Sequence, residues 1–140
     1  MTASPSITTR VPAGLIGVVD QDEASVRRIT DLLAPLGAEV RSYPTAGAFL
    51  SQAAQDLDCV ICEMTLPDMS GIDLIRALRA RGLFTPVILL ATSDDVSVAV
   101  DGMRSGALDF LEKSGADRLL SRHVGRLIRR NEPPAPRSGT

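Results

Sequence analysis

The chain has 140 residues, of which 44% are hydrophobic and 23% charged, with a net charge of −2. That length suits one domain around one core, and the near-neutral charge sets up no global field to recruit a polyanion. Aromatics make up only 3%, so the core must be aliphatic, and this argues against base-stacking nucleic-acid modules.

Residues 1–13 are rich in Ser, Thr and Pro and read as a loose arm. Arg10 and the apolar run to Val19 form the nearest approach to a targeting signal. The run is short, holds Pro12 and enters Asp20-Gln21-Asp22-Glu23 without a small-residue cleavage site, so a buried strand explains it better. No apolar stretch nears the roughly 20 residues of a membrane span, and the expected location is cytoplasmic. Asp22 is placed to cap a helix to about Leu36, with Val26, Ile29, Leu32 and Leu33 on one face and Gly37 ending it. Ala38 to Tyr43 reads as a short strand. Pro44-Thr45 opens a second helix with Ala48, Phe49 and Leu50 inward.

Asp58 to Glu63 is a third strand, followed by a loop through Ser70 and a helix from Gly71 to Arg81 with Ile72, Ile75 and Leu78 at helical spacing. Pro86 to Ala91 is a fourth strand. Asp94 or Asp95 is placed to cap a fourth helix running to Arg104. Ala107 to Glu112 is a fifth strand, Gly115 to Arg130 the last helix, and residues 131–140 a flexible tail. The domain therefore spans 14–130. Strands alternating with helices imply a doubly wound parallel sheet, whose ligand sites lie at the carboxyl ends of the strands. Asp20, Glu63, Ala91 or Thr92, and Glu112-Lys113 stand at those ends. Cys59 and Cys62 have C-x-x-C spacing, but residues three apart on a strand point to opposite faces, so both read as small core residues and not as a redox or zinc pair.

Four segments carry a family likeness: Val18-Val-Asp-Gln-Asp-Glu23, Glu63-Met-Thr-Leu-Pro-Asp-Met-Ser-Gly71, Pro86-Val-Ile-Leu-Leu90 and Gly106-Ala-Leu-Asp-Phe-Leu-Glu-Lys113. Together they make the stretch from Leu15 to about Arg129 resemble a response-regulator receiver domain. The resemblance implies a flavodoxin-like, five-stranded (βα)5 fold, in which phosphorylation at the strand ends reshapes the surface of the fourth helix, fifth strand and fifth helix. It also implies site roles, several of which this chain alters. The phosphoacceptor position, an aspartate in the family, is Glu63. The acidic pair that holds Mg²⁺ in the family reads Asp20-Gln21. An alternative register uses Asp22, because the segment up to Arg27-Arg28 is one residue longer than usual. The hydroxyl position falls on Ala91 with Thr92 beside it, the lysine is Lys113, the proline after it is Ser114, and the switch aromatic is Phe110.

Phosphoryl transfer to a carboxylate needs in-line placement and charge neutralisation. Mg²⁺ needs near-octahedral oxygen ligands, usually one or two carboxylates with waters. An amide at Gln21 and an alanine at position 91 weaken both. No cofactor is expected, or at most a weak Mg²⁺ site at Asp20, Asp22 and Glu63. The longer Glu63 side chain can reach Lys113 and form a fixed ion pair that imitates a phosphorylated aspartate. The plainer readings stand beside this one: Glu63 and Lys113 as solvated strand-end charges, Asp20 as a helix cap, Phe110 as core and Ser114 as a turn residue.

The last helix sets Arg118, Arg122, Arg126 and Arg129 on one face and Leu120, Val124, Leu127 and Ile128 on another. This is either a solvated stripe or, with Arg104, a surface for an acidic partner. His123, the only histidine, reads as a surface or packing residue. No catalytic triad, phosphate-binding glycine loop or zinc spacing occurs, so an enzyme is not expected beyond self-phosphorylation from a phosphodonor. The first expectation is a stand-alone, atypical receiver in two-component or phosphorelay signalling, acting as a protein-interaction module. Its partner would be a histidine kinase, a phosphotransfer protein or another regulator, and two copies could pair through the fourth helix, fifth strand and fifth helix. The alternatives are a Mg²⁺-dependent phosphoacceptor, and a nucleic-acid adaptor using the last helix.

Overall fold

The computed structural model describes residues 13–52, 56–92 and 96–131, with side chains described as far as 128. Asp94 and Asp95, the arm up to residue 12, the tail from 132 and the Arg129 side chain lie outside the described residues.

Five strands form one sheet in the order β2-β1-β3-β4-β5, and every pairing is parallel. The strands are β1 (Gly14–Val19), β2 (Ala38–Tyr43), β3 (Cys59–Glu63), β4 (Val87–Ala91) and β5 (Asp109–Glu112). The helices between them are α1 (Glu23–Leu33), α2 (Ala46–Gln52), α3 (Gly71–Ala80), α4 (Val96–Arg104) and α5 (Asp117–Asn131). The sheet is doubly wound because its central strands are apolar on both faces. In β3, Cys59 and Ile61 join the α1 and α5 side, while Val60 and Cys62 join the α2 and α3 side. The two thiols are free, buried and on opposite faces, as period-two geometry requires.

Several boundaries move. Helix α1 stops at Leu33 and a 3₁₀ turn, Ala34–Leu36, completes the run, because Pro35 cannot donate the next helical hydrogen bond. Inside α2, Ala46 is fully buried and the expected Ala48 only half-buried. Phe49 and Leu50 are buried as expected, and Asp68, from the β3–α3 loop, accepts from Ala46 N and Gly47 N at the first turn. Strand β5 begins at Asp109 rather than Ala107, where Leu108 N still bonds to Val87 O but the paired register has not begun. Helix α5 begins at Asp117 rather than Gly115, because Lys113–Gly115 form a 3₁₀ turn. In α5, Leu120, Val124, Leu127 and Ile128 are buried as the spacing predicts. Helix α4 buries only Gly102, whose Cβ position lies 3.2 Å from the Phe110 ring. Its outer face exposes Val96, Val100 and Met103.

Candidate functional site

Three strand tips converge at the carboxyl edge of the sheet. Asp20 directly follows β1 and is buried, with its N–H donating to Tyr43 O at 3.0 Å. Glu63 ends β3 and has the parity of Ile61, so it turns to the α1 and α5 side. Lys113 follows β5 and turns back over the sheet. Its ammonium donates to Glu63 Oε2 at 2.6 Å and to Asp20 Oδ2 at 2.9 Å. The side chains of Asp20, Glu63 and Lys113 are 1%, 12% and 18% exposed. They are therefore not solvated surface charges, and one ammonium serves two carboxylates.

The charges perturb one another accordingly. Burial pushes the Glu63 carboxyl above its usual value; the Lys113 hydrogen bond opposes this and the charge on Asp20 reinforces it. Burial also pulls Lys113 downward, but the hydrogen bonds and charges of Glu63 and Asp20 outweigh it and raise the ammonium above the usual lysine value. Both hold protons more tightly, Glu63 chiefly because it is buried and Lys113 because two carboxylates surround its ammonium.

The acidic segment after β1 divides its work. Asp20 Oδ1 accepts from Asp22 N at 2.8 Å, so both Asp20 oxygens are engaged. Asp22 is the N-cap of α1, accepting from Ala24 N at 3.0 Å and Ser25 Oγ at 3.1 Å. Gln21 is exposed. The longer segment is thus spent on the cap, which takes up both Asp22 oxygens. Among the described residues no three His, Cys, Asp or Glu side chains lie together closely enough to hold a metal. Two engaged oxygens on Asp20, a capping Asp22 and a Glu63 bonded to an ammonium do not fit Mg²⁺, which needs free carboxylate oxygens in near-octahedral array.

Ala91 is buried at the end of β4, whereas Thr92 is exposed. Thr92, one residue after Ala91, lines a cavity of about 330 Å³ with Asp22, Ser25, Arg28, Lys113 and Ser114. A larger cavity of about 570 Å³ between α1 and β2 includes Asp20 and Gln21 in its lining, but neither Glu63 nor Lys113. The loop after Glu63 is tightly held: Met64 N donates to Leu90 O and Gly71 N to Met64 O, each at 2.7 Å. Only glycine fits at 71, since a Cβ there would sit 2.6 Å from Leu89 Cδ2 and 3.0 Å from Glu63 O. Ser114 bonds Glu112 Oε1 at 2.9 Å within the turn.

Sequence reasoning missed two contributors. Arg28, on α1, donates to Lys113 O at 3.2 Å and to Asp117 Oδ1 at 2.8 Å, tying the lysine's turn to α1. His123, on α5, lies 2.7 Å from Asp109 Oδ2, and Phe110 N donates to Asp109 Oδ1, which joins α5 to the strand carrying Phe110. Phe110 itself is half-buried. Lys113, which the sequence already placed at the site, is the only lysine among the chain's 15 lysine and arginine residues. Arg104, Arg118, Arg122 and Arg126 are all exposed, and none has an ion-pair partner among the described residues.

A flavodoxin-like α/β domain with an acid–lysine cluster at the tips of β1, β3 and β5 defines the class. The family model for the response regulator receiver domain matches residues 16–124, and the chain belongs to that family. It is 36% identical over 106 residues to the transcriptional regulatory protein FixJ of Azorhizobium caulinodans, covering 75% of this chain and 50% of that protein. It is 33% identical over 123 residues to FixJ of Bradyrhizobium diazoefficiens, covering 87% and 60%. The chain thus spans about half the length of the curated relatives it matches. Among solved structures, a receiver protein from Pseudoalteromonas atlantica superposes with a TM-score of 0.78 at 31% identity, over 84% of this chain and 99% of that one.

Proposed function

We infer that this receiver domain works in two-component signal transduction without being phosphorylated at Glu63, and that it acts by binding another protein. One observation carries the reading: the Lys113 ammonium holds Glu63 at 2.6 Å and buried Asp20 at 2.9 Å. That bond holds the Glu63 carboxylate in place at the tip of β3 and engages one of its two oxygens, Oε2. Glu63 then serves as a fixed member of an ion cluster, and the chemistry that transfer requires, in-line access with metal neutralisation, is not assembled around it. The acidic-pocket role falls to Asp20 alone.

The partner surface is α4, the Phe110 end of β5, and α5. Val96, Val100 and Met103 expose an apolar strip there, and Arg104, Arg118, Arg122 and Arg126 supply exposed positive charge. Such a surface suits an acidic signalling protein, of the kind a histidine kinase, phosphotransfer protein or second regulator would present, or a second copy of this chain. The test is incubation of the protein with acetyl phosphate and Mg²⁺, followed by intact-mass measurement. The expected product is unmodified chain; a stoichiometric, base-labile phosphoryl adduct on Glu63 would overturn the reading.

A further inference from the structure

We propose that Lys113 is the resident cation of this pocket, standing in for a divalent metal ion, so that the folded domain is indifferent to Mg²⁺. The proposal rests on the reading of Glu63 and Lys113 as a standing ion pair, and takes it one step further, to the ligand the pocket has given up.

Three observations carry it. The first is geometric: one ammonium bridges Asp20 Oδ2 and Glu63 Oε2 at 2.9 and 2.6 Å, the bridging position that a cation shared by two carboxylates takes. The second concerns the oxygens. Asp20 Oδ1 is committed to Asp22 N, both Asp22 oxygens to the α1 cap, and Asp20 Oδ2 and Glu63 Oε2 to the ammonium, so five of the six oxygens on these three carboxylates already accept from a donor. The third is compositional: every other residue in the chain's complement of lysine and arginine is arginine. A planar guanidinium cannot act as a compact point charge between two carboxylates, whereas an ammonium can. A chain that otherwise uses arginine throughout keeps its one lysine at the position where shape demands it. Arg28 and the 3₁₀ turn hold that lysine's backbone in place.

The test is a Mn²⁺ and Mg²⁺ titration of the full chain, read by paramagnetic broadening of Asp20, Asp22 and Glu63 signals and by thermal midpoint. Wild type should show no saturable change up to roughly ten times the millimolar levels at which weak sites fill. In Lys113→Met the two carboxylates lose their cation. A divalent ion should then bind and raise the midpoint by roughly 3–6 °C at tenfold excess over its dissociation constant. If the variant is unfolded without metal, recovery of its helical circular dichroism on adding Mn²⁺ is the same result. Lys113→Met/Asp20→Asn, which removes one of the two ligands, should lose the response. Saturable binding to wild type, or a Lys113→Met variant that neither binds nor is rescued, would overturn the proposal. Phosphoryl adduct formation is a separate readout. An adduct with a silent wild-type titration would sink the proposed function and leave this inference standing; metal binding without an adduct would do the reverse.

Discussion

Removing the positive charge from the Asp20–Lys113–Glu63 cluster should cost far more stability than neutralising Glu63. In Lys113→Met, Asp20, whose side chain is 1% exposed, and Glu63, 12% exposed, face each other with nothing between them. Stripping one partner from a buried pair costs about 3–5 kcal/mol, a large share of the ~5–15 kcal/mol of a typical domain. Glu63→Gln leaves a neutral Asp20–Lys113 pair, and the amide oxygen can still accept from Nζ, so it should cost no more than about 1 kcal/mol. Asp20→Asn falls between them. Its oxygen can keep the Asp22 N–H, but its NH₂ group then opposes the ammonium, a mismatch of about 2–3 kcal/mol. Urea denaturation at neutral pH measures all three. With a slope near 2 kcal/mol/M, Lys113→Met should lower the midpoint by about 2 M and Glu63→Gln by less than about 0.5 M. The sign with pH is also fixed. Glu63 is raised in the folded state by burial and by Asp20, against the Lys113 hydrogen bond, so its contribution is greatest below its ordinary value of 4.5 and fades as pH rises through the folded value. The stability of Glu63→Gln relative to wild type should therefore improve as pH rises through that window. Equal losses in Glu63→Gln and Lys113→Met would refute the claim that one ammonium serves two carboxylates.

Lys113, raised overall by its carboxylate partners despite burial, contributes stability that is complete below its ordinary value of 10.5 and lost as pH rises through the folded value. Wild type should show an alkaline loss of thermal midpoint that Lys113→Met lacks. Asp68, lowered chiefly by its bond from Gly47 N, contributes stability present above 3.8 and lost as pH falls, so Asp68→Asn should flatten part of the acid limb. Gly71→Ala should destabilise by about 1–3 kcal/mol in the same urea assay, because its Cβ would meet Leu89 Cδ2 at 2.6 Å and the rigid Glu63 carbonyl at 3.0 Å. Burial pushes the Cys59 thiol up to about 12 and raises Cys62 as well, so neither should react with a thiol reagent in the native protein, while both should label on unfolding.

Much of the fold was legible because period and punctuation agreed. Apolar runs ended at Asp20, Glu63 and Ala91, and glycines closed helices at 37 and 82, where φ is 81° and 77°. Phase and ends were harder. The first turn of α2 is held by Asp68, 22 residues away from Ala46, and no local pattern reports such a bond. The start of α5 depends on a 3₁₀ turn that Lys113-Ser114-Gly115 permits but does not dictate. At the site, the Glu63–Lys113 contact followed from the length of a glutamate side chain. The register after β1 could not be read from sequence, because Asp20 and Asp22 differ only in what surrounds them: one is buried beside a lysine, the other caps a helix. Arg28 and the Asp109–His123 pair, in turn, meet their partners only through the winding of α1 and α5 around the sheet.

Because Lys113 is the only lysine in the chain, its ammonium gives a single, self-assigned ¹⁵N signal, and that signal reports most directly on whether the cluster stands. The account predicts a slowly exchanging Nζ resonance at neutral pH that is unchanged by Mg²⁺ or acetyl phosphate, moved by Glu63→Gln and broadened away by Asp20→Asn. A fast-exchanging ammonium indistinguishable from that of a free lysine, or one that shifts on adding the phosphodonor, would contradict it.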